Sequence, residues 1–261
     1  MQGERLENGK YIIFLDIDNT VFDGKEVPAK TAAALAEAKR RGHKVFLNTG
    51  RAHCIVTQDI IEAVKPDGVI SAMGTSIFVG DKCVFSALME KDDVDFLVKY
   101  GEEIGVFTII ESVERLVSMK GPAFMGQNNF IDKAEELYTA FPDMKVSKIS
   151  FMKKLPDEDV AMLRAKFPAV YSHSGYVEIP PEGCNKGTAI ARVCEYYGTD
   201  VAHSVAMGDS GNDYDMVKFA GIGVAMGNAT DDIKEVADFV TTDCKDGGVA
   251  YALEKLIFER E

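Results

Sequence analysis

The sequence predicts an α/β fold: a parallel sheet covered by helices, with a smaller α+β unit inserted into it. Short apolar segments alternate with helical ones from residue 11 to about 72. The alternation lapses between about 83 and 184 and resumes from 185 onward. Residues 11–15 read as a buried strand, apolar and partly β-branched. Residues 28–41 read as a helix, because Pro28 sits where no N–H is needed, Ala and Leu recur at helical spacing, and Gly42 follows a basic end. A strand is expected at 44–47, a helix at about 52–64 ended by Pro66, and a third strand at 68–72. This order predicts a Rossmann-like parallel sheet.

Residues 76–89 read as two strands joined at Gly80-Asp81. Helices are expected at about 93–104, 130–141 and 157–167, with strands near 107–110, 115–119, 146–152, 170–172 and 176–179. That mixture is read as a separate α+β unit over 83–184, joined to the rest near 81–83 and 183–185. The core, 1–82 and 185–261, resumes with a helix at 186–197, a strand at 204–207 and a helix reaching 220. A strand at 223–225, a helix from 231, a strand at 239–241 and a helix from 249 complete it.

Composition excludes several classes of function. The 42 acidic residues outnumber the 29 basic ones for a net charge of -13, which repels nucleic-acid phosphates. The five cysteines are scattered without a C-x-x-C pair, which argues against a disulfide framework or zinc site and for a reducing cytoplasm. No apolar run approaches the ~20 residues of a membrane span. Residues 1–10 are polar, lack the apolar middle of a signal peptide and read as an exposed lead-in. The glycosylation-like Asn228-Ala229-Thr230 reads instead as a helix start, capped by Thr230 with Asp231 and Asp232 in the first turn.

Ligands of open parallel sheets bind beyond the carboxyl ends of the strands. Here the strand ends are followed by Asp16, Asp18 and Thr20, by Asn48, Thr49, Gly50 and Arg51, and by Gly208, Asp209, Ser210, Gly211, Asn212 and Asp213, while Lys186 opens a helix of the resumed core. The spacing of two between Asp16 and Asp18 would send both carboxylates to one face of an extended chain. Asp16, Asp18, Asp209 and Asp213 together repel one another unless a divalent cation joins them, and oxygen-only ligands favour Mg²⁺. Thr49, the Gly50 amide, Lys186 and Asn212 are donors suited to a phosphate dianion. A metal, donors and a free carboxylate together describe phosphoryl transfer. Each motif alone also reads as a turn, a helix cap or a solvated lysine; their order, each at a strand end or helix start, carries the inference.

These residues resemble the haloacid dehalogenase (HAD) superfamily, and specifically its Cof-type, subclass IIB phosphatases with a C2B cap. The resemblance rests on D-I-D-N-T, the T-G-R of N-T-G-R, Lys186 in C-N-K-G and G-D-S-G-N-D, and extends over V-E-I-P-P-E-G-C-N-K-G, G-V-A-M-G-N-A and D-G-G-V-A-Y-A-L-E-K. It covers about 11–82 and 185–258, while the cap is similar mainly in length and position. It implies Asp16 as nucleophile and Asp18 as general acid/base. It implies Mg²⁺ on the Asp16 carboxylate, the Asp18 carbonyl and Asp209, with Asp213 as ligand or support. Thr49 and Lys186 would grip the phosphate, with Asn212 nearby. A second aspartate marks a phosphotransferase rather than a dehalogenase, so small phosphate monoesters, sugar phosphates foremost, are the expected substrates. Asn19 stands where the family has Gly, in a turn that Asn tolerates; Asn48 and Cys244 also depart from the pattern. The segment 121–129 faces the leaving group or is a plain connection, and Asp23 is given no catalytic role. A phosphomutase and a non-catalytic phosphate-binding module remain open on these core motifs.

Overall fold

A computed structural model describes residues 5–7 and 9–259. Strand β1 (Ile12–Leu15) is fully buried, as a strand covered on both faces must be. Helix α1 (Ala29–Arg40) leads to β2 (Lys44–Asn48). The helix expected at 52–64 is split into a 3₁₀ turn, His53–Ile55, and α2 (Gln58–Val64). The β-branched Val56 and Thr57 between them stay extended. Then follow β3 (Gly68–Ser71), β4 (Ser76–Val79) and β5 (Lys82–Ser86).

The second unit contains α3 (Lys91–Glu103), β6 (Thr108–Glu111), β7 (Leu116–Met119), β8 (Phe130–Ile131) and α4 (Leu137–Ala140). It continues with β9 (Lys148–Phe151), α5 (Asp157–Lys166), β10 (Tyr171–Ser172) and β11 (Val177–Ile179). The single helix expected at 130–141 is not formed. Phe130 and Ile131 pair with β7, and the Glu136 carboxylate reaches back to the amides of Asp132 at 2.8 Å and Lys133 at 3.3 Å, so helical structure begins only at Ala134.

Helix α6 (Lys186–Tyr196), β12 (Ser204–Gly208), α7 (Tyr214–Phe219), β13 (Ile222–Ala225), α8 (Asp231–Val236), β14 (Phe239–Val240) and α9 (Gly248–Leu253) follow. The Thr230 side chain does not cap α8; its amide, at 3.0 Å, and its hydroxyl, at 3.5 Å, donate to the Asp209 carbonyl instead. Of the lead-in, residues 1–4 and 8 lie outside the described residues, but Leu6 is buried and donates its amide to the Tyr197 carbonyl at 3.0 Å, so it is not an exposed tail there.

The larger sheet has the order β14-β13-β12-β1-β2-β3-β4-β5, parallel from β14 to β3 and antiparallel beyond. The chain winds outward from β1 in both directions, so the crevice at the carboxyl end of β1 is the switch point of the sheet. The smaller sheet has the order β10-β11-β9-β6-β7-β8, with its own apolar core of residues such as Val94, Leu97, Ile149, Phe151 and Leu163. Because β5 pairs with β4, residues 82–86 belong to the larger sheet, which moves the first boundary from 83 to the end of β5. Leu88 is the crossing: the Ala87 amide bonds Thr75 of the larger unit at 2.7 Å, and the Met89 amide bonds Val146 of the smaller at 2.8 Å. Among the described residues, no helix is long and apolar enough to cross a membrane.

Candidate active site

The Asp16 amide donates to the Met207 carbonyl at 3.1 Å, so Asp16 is still held beside β12. The extended chain ends there. The Ile17 carbonyl accepts from the amides of Thr20 at 3.3 Å, Val21 at 3.1 Å and Phe22 at 2.9 Å, closing a tight turn. Asp16 and Asp18 therefore reach one cavity through this turn rather than through strand alternation, which corrects the sequence-based reason for their proximity. Asn19 sits in the turn at φ 58°, the left-handed conformation that Asn accepts. Asn228 locks it: its Nδ2 donates to the Asn19 carbonyl at 2.9 Å, and its Oδ1 accepts from the Cys244 amide at 2.8 Å. Asn19→Ala is expected to cost about 1–2 kcal/mol in urea unfolding, because Ala lacks the short polar side chain that eases left-handed backbone for Asn, while Asn19→Gly is tolerated. Asp23 accepts from the Lys25 and Glu26 amides, both at 2.9 Å, and these bonds hold its carboxyl below the usual range.

Asp16, Asp209 and Asp213 are buried, with one carboxylate oxygen of each within 4.8 Å of the others. Lys186, the first residue of α6, is completely buried among them. Its Nζ donates to Asp16 Oδ1 at 2.7 Å, Asp213 Oδ1 at 2.6 Å and Asn212 Oδ1 at 3.2 Å. The Asn185 side chain caps α6 by accepting from the Thr188 amide at 2.6 Å, which fixes where Lys186 begins its reach. Burial and the Asp213 charge push the Asp16 carboxyl well above its usual range, Lys186 opposing them. Burial and Asp213 likewise raise Asp209 to about 7. Burial works against the Lys186 ammonium, but Asp16 and Asp213 outweigh it and hold its pKa up. Three carboxylates thus share one ammonium, and a cation fits the surplus negative charge.

The donor set is oxygen only, which suits Mg²⁺. Asp213 is the most committed of the three. Its Oδ1 accepts from Lys186, and its Oδ2 accepts from the amides of Asp209 at 2.9 Å and Ser210 at 3.0 Å. Gly208 makes room for it: a Cβ there would stand 2.5 Å from Asp213 Cβ and Cγ. Gly208→Ala is expected to lower stability by about 1–3 kcal/mol, read by thermal unfolding.

Asp18 is more open, its side chain 54% exposed, and Arg51 grips both its oxygens, Nε to Oδ2 at 2.9 Å and Nη2 to Oδ1 at 2.6 Å. Sequence reasoning named Arg51 only as a rim residue; the bidentate pairing needed the fold. Thr49 is buried beside the cavity, and its Oγ1 accepts from the Arg51 amide at 3.1 Å, leaving its proton free for a ligand. Asn212 Nδ2 points at Gly50, 3.2 Å from where a Cβ would be. Asn48 does not reach the rim; it donates to the Lys186 carbonyl at 2.9 Å and braces α6 from below.

The cavity, about 440 Å³, is bounded by Asp16, Asp18, Thr49, Gly50, Asp209 and Asn212 on the larger sheet's side. Lys148, Ser150, Glu178 and Glu111 bound it on the smaller sheet's side, with Ile109 and Met152, while Ile55 faces them from the larger unit. Phe124 and Met125 also reach it, so the segment 121–129 touches the cavity. Its far wall was not foreseen from sequence. A lysine at the start of one apolar strand, Lys148, and a glutamate in the middle of another, Glu178, were the available signal.

Residues 13–253 match the model of the haloacid dehalogenase-like hydrolases, and the chain belongs to that family. It has the Cof-type, subclass IIB architecture of a HAD phosphatase. It is similar to YkrA of Bacillus subtilis, 29% identical over 250 residues that cover 94% of this chain and 97% of that one. It is also similar to the 5-amino-6-(5-phospho-D-ribitylamino)uracil phosphatase YcsE of Bacillus subtilis, 26% identical over 245 residues, 93% of this chain and 94% of that one. Among solved structures, the HAD subclass IIB sugar phosphatase BT4131 superposes with a TM-score of 0.83 at 24% identity, covering 94% of this chain and 98% of that one, a likeness of fold.

Proposed function

We propose that the chain is a Mg²⁺-dependent phosphatase of small phosphate monoesters, sugar phosphates foremost, working through a phosphorylated Asp16. The observation that carries this reading is the buried Asp16 carboxylate, bonded by Lys186 and beside Asp209, opening into a cavity that the donors Thr49, Gly50 and Asn212 also line. Asp16, Asp209 and the Asp18 carbonyl would hold the metal, and Asp213 would brace them. When bound, Mg²⁺ supplies positive charge against the phosphoryl oxygens and keeps the carboxylates ionised.

In this reading Lys186, Thr49, the Gly50 amide and Asn212 hold the non-bridging oxygens. An Asp16 oxygen attacks phosphorus, the ester P–O bond breaks, and Asp18 gives a proton to the departing alkoxide. Asp18 then takes a proton from water, the water oxygen attacks phosphorus, and the bond to Asp16 breaks. Arg51 aims the Asp18 carboxylate; proton delivery requires one oxygen to leave the guanidinium fork. The unit between β5 and α6 acts as the cap, sheltering the reaction and choosing the alcohol.

The test is hydrolysis of an aryl phosphate and of sugar phosphates by purified protein. Free phosphate should appear in equal amount to the alcohol, EDTA should abolish turnover, and Mg²⁺ should restore it. Turnover undiminished in EDTA, or conversion of a sugar phosphate to its isomer without phosphate release, contradicts the reading.

A further inference from the structure

The far wall of the cavity carries charges that the proposed chemistry does not use. Strand β9 sends Lys148 and Ser150 to the cavity, while Ile149 and Phe151 enter the apolar core of the smaller unit. Lys148 is bonded to Glu178 on β11 and lies 3.3 Å from Glu111 on β6. Its Nζ also donates at 2.7 Å to the carbonyl of Gly50, on the loop whose amide is assigned to the phosphate. Ser150 donates to Glu111 Oε1 at 2.6 Å. Two buried carboxylates therefore share one ammonium, with the His173 ring beside Glu178.

Glu178 is the incomplete member. It is only 4% exposed and lines the cavity, yet its Oε2 has no hydrogen-bond partner among the described residues. His173 Nε2 stands 3.3 Å from Oε2, and Lys148 and His173 together outweigh burial and hold the Glu178 carboxyl below the usual range. Each carboxylate oxygen has two lone pairs, so Oε2 keeps acceptor capacity for a hydroxyl that a ligand brings. Glu178 is also close to the phosphate loop: a Cβ on Gly50 would be 3.4 Å from Oε1 and 3.9 Å from Oε2. The Lys148 bond to Gly50 fixes that separation.

We propose that Glu178 is a specificity-determining residue that accepts a hydrogen bond from a hydroxyl of the leaving alcohol, carried about one or two carbons from the ester oxygen. This deepens the phosphatase reading and rests on it. The same charge selects against its competitors, because an ester with a carboxylate at that place meets Glu178 and Glu111 and is repelled. Substrates of this site are neutral polyol phosphates, and acidic phosphoesters of similar size are excluded.

Three small esters that differ at one end of a two-carbon chain test this: 2-hydroxyethyl phosphate, ethyl phosphate and phosphoglycolate, compared by kcat/KM with Mg²⁺ present. Wild-type protein should prefer the hydroxyethyl over the ethyl ester by at least about tenfold, the worth of a hydrogen bond to a charged group, and should disfavour phosphoglycolate. In Glu178→Met the hydroxyethyl-to-ethyl ratio should fall towards one. Glu178→Gln, which keeps an acceptor but no charge, should retain part of that ratio and relax the penalty on phosphoglycolate; it decides the matter alone if the Met variant does not fold. The proposal is overturned if wild type shows no preference for the hydroxyl, or if the variants lower all three esters in the same proportion, the mark of a structural role. Failure of the phosphatase reading looks different: no phosphate is released from any ester, an aryl phosphate included, and both readings fall.

Discussion

Asp16→Asn should abolish turnover, lowering kcat by roughly 10⁴-fold or more, as loss of a covalent nucleophile does. The amide is nearly the same size, so the turn on Ile17 and the packing around β1 should survive, and thermal unfolding should still be cooperative. The variant should still bind phosphate, because Thr49, the Gly50 amide and Asn212 are untouched and Lys186 keeps its bonds to Asp213 and Asn212. Stopped turnover with retained phosphate binding separates a lost nucleophile from a collapsed site. An aryl phosphate assay sensitive to residual rates, together with calorimetric titration of inorganic phosphate, makes the comparison.

Lys186→Met should have the largest effect on stability. Nζ is completely buried and bonded to Asp16, Asp213 and Asn212, so its loss strands two buried carboxylates with no cation between them. Breaking one side of a buried ion pair costs about 3–5 kcal/mol, and that is the loss expected in metal-free protein. Mg²⁺ should return part of it, because its charge stands in for the ammonium beside Asp16 and Asp209. Urea unfolding with and without Mg²⁺ reads both numbers. A variant as stable as wild type in EDTA would mean that the carboxylates do not depend on Lys186.

The carboxyl-end rim was legible in the sequence because each of its groups follows a strand or opens a helix whose pattern is local. Four apolar residues before Asp16, K-V-F-L before Asn48 and the capped start of α6 are short-range signals, and the topological rule converts them to a shared site. The turn at Asn19 was legible too, since so few residues accept left-handed backbone. Long-range partners were hidden. Nothing in the neighbourhood of Asn228 announces that it holds the Asn19 carbonyl 209 positions earlier. The 130–141 segment has helical composition, but Glu136 satisfies the amides of Asp132 and Lys133 and the buried Ile131 is drawn into the smaller sheet. Lys148, Glu111 and Glu178 come from three strands far apart in sequence, and each alone looks like a solvated charge.

In the proposed reaction the phosphoryl group passes through Asp16. Protein turning over a sugar phosphate with Mg²⁺ can be quenched and reduced with borohydride, which converts an aspartyl phosphate to homoserine. Peptide sequencing by mass spectrometry should find homoserine at position 16, only when substrate was present. Substrate-dependent homoserine at another aspartate, or none while phosphate is being released, would contradict it.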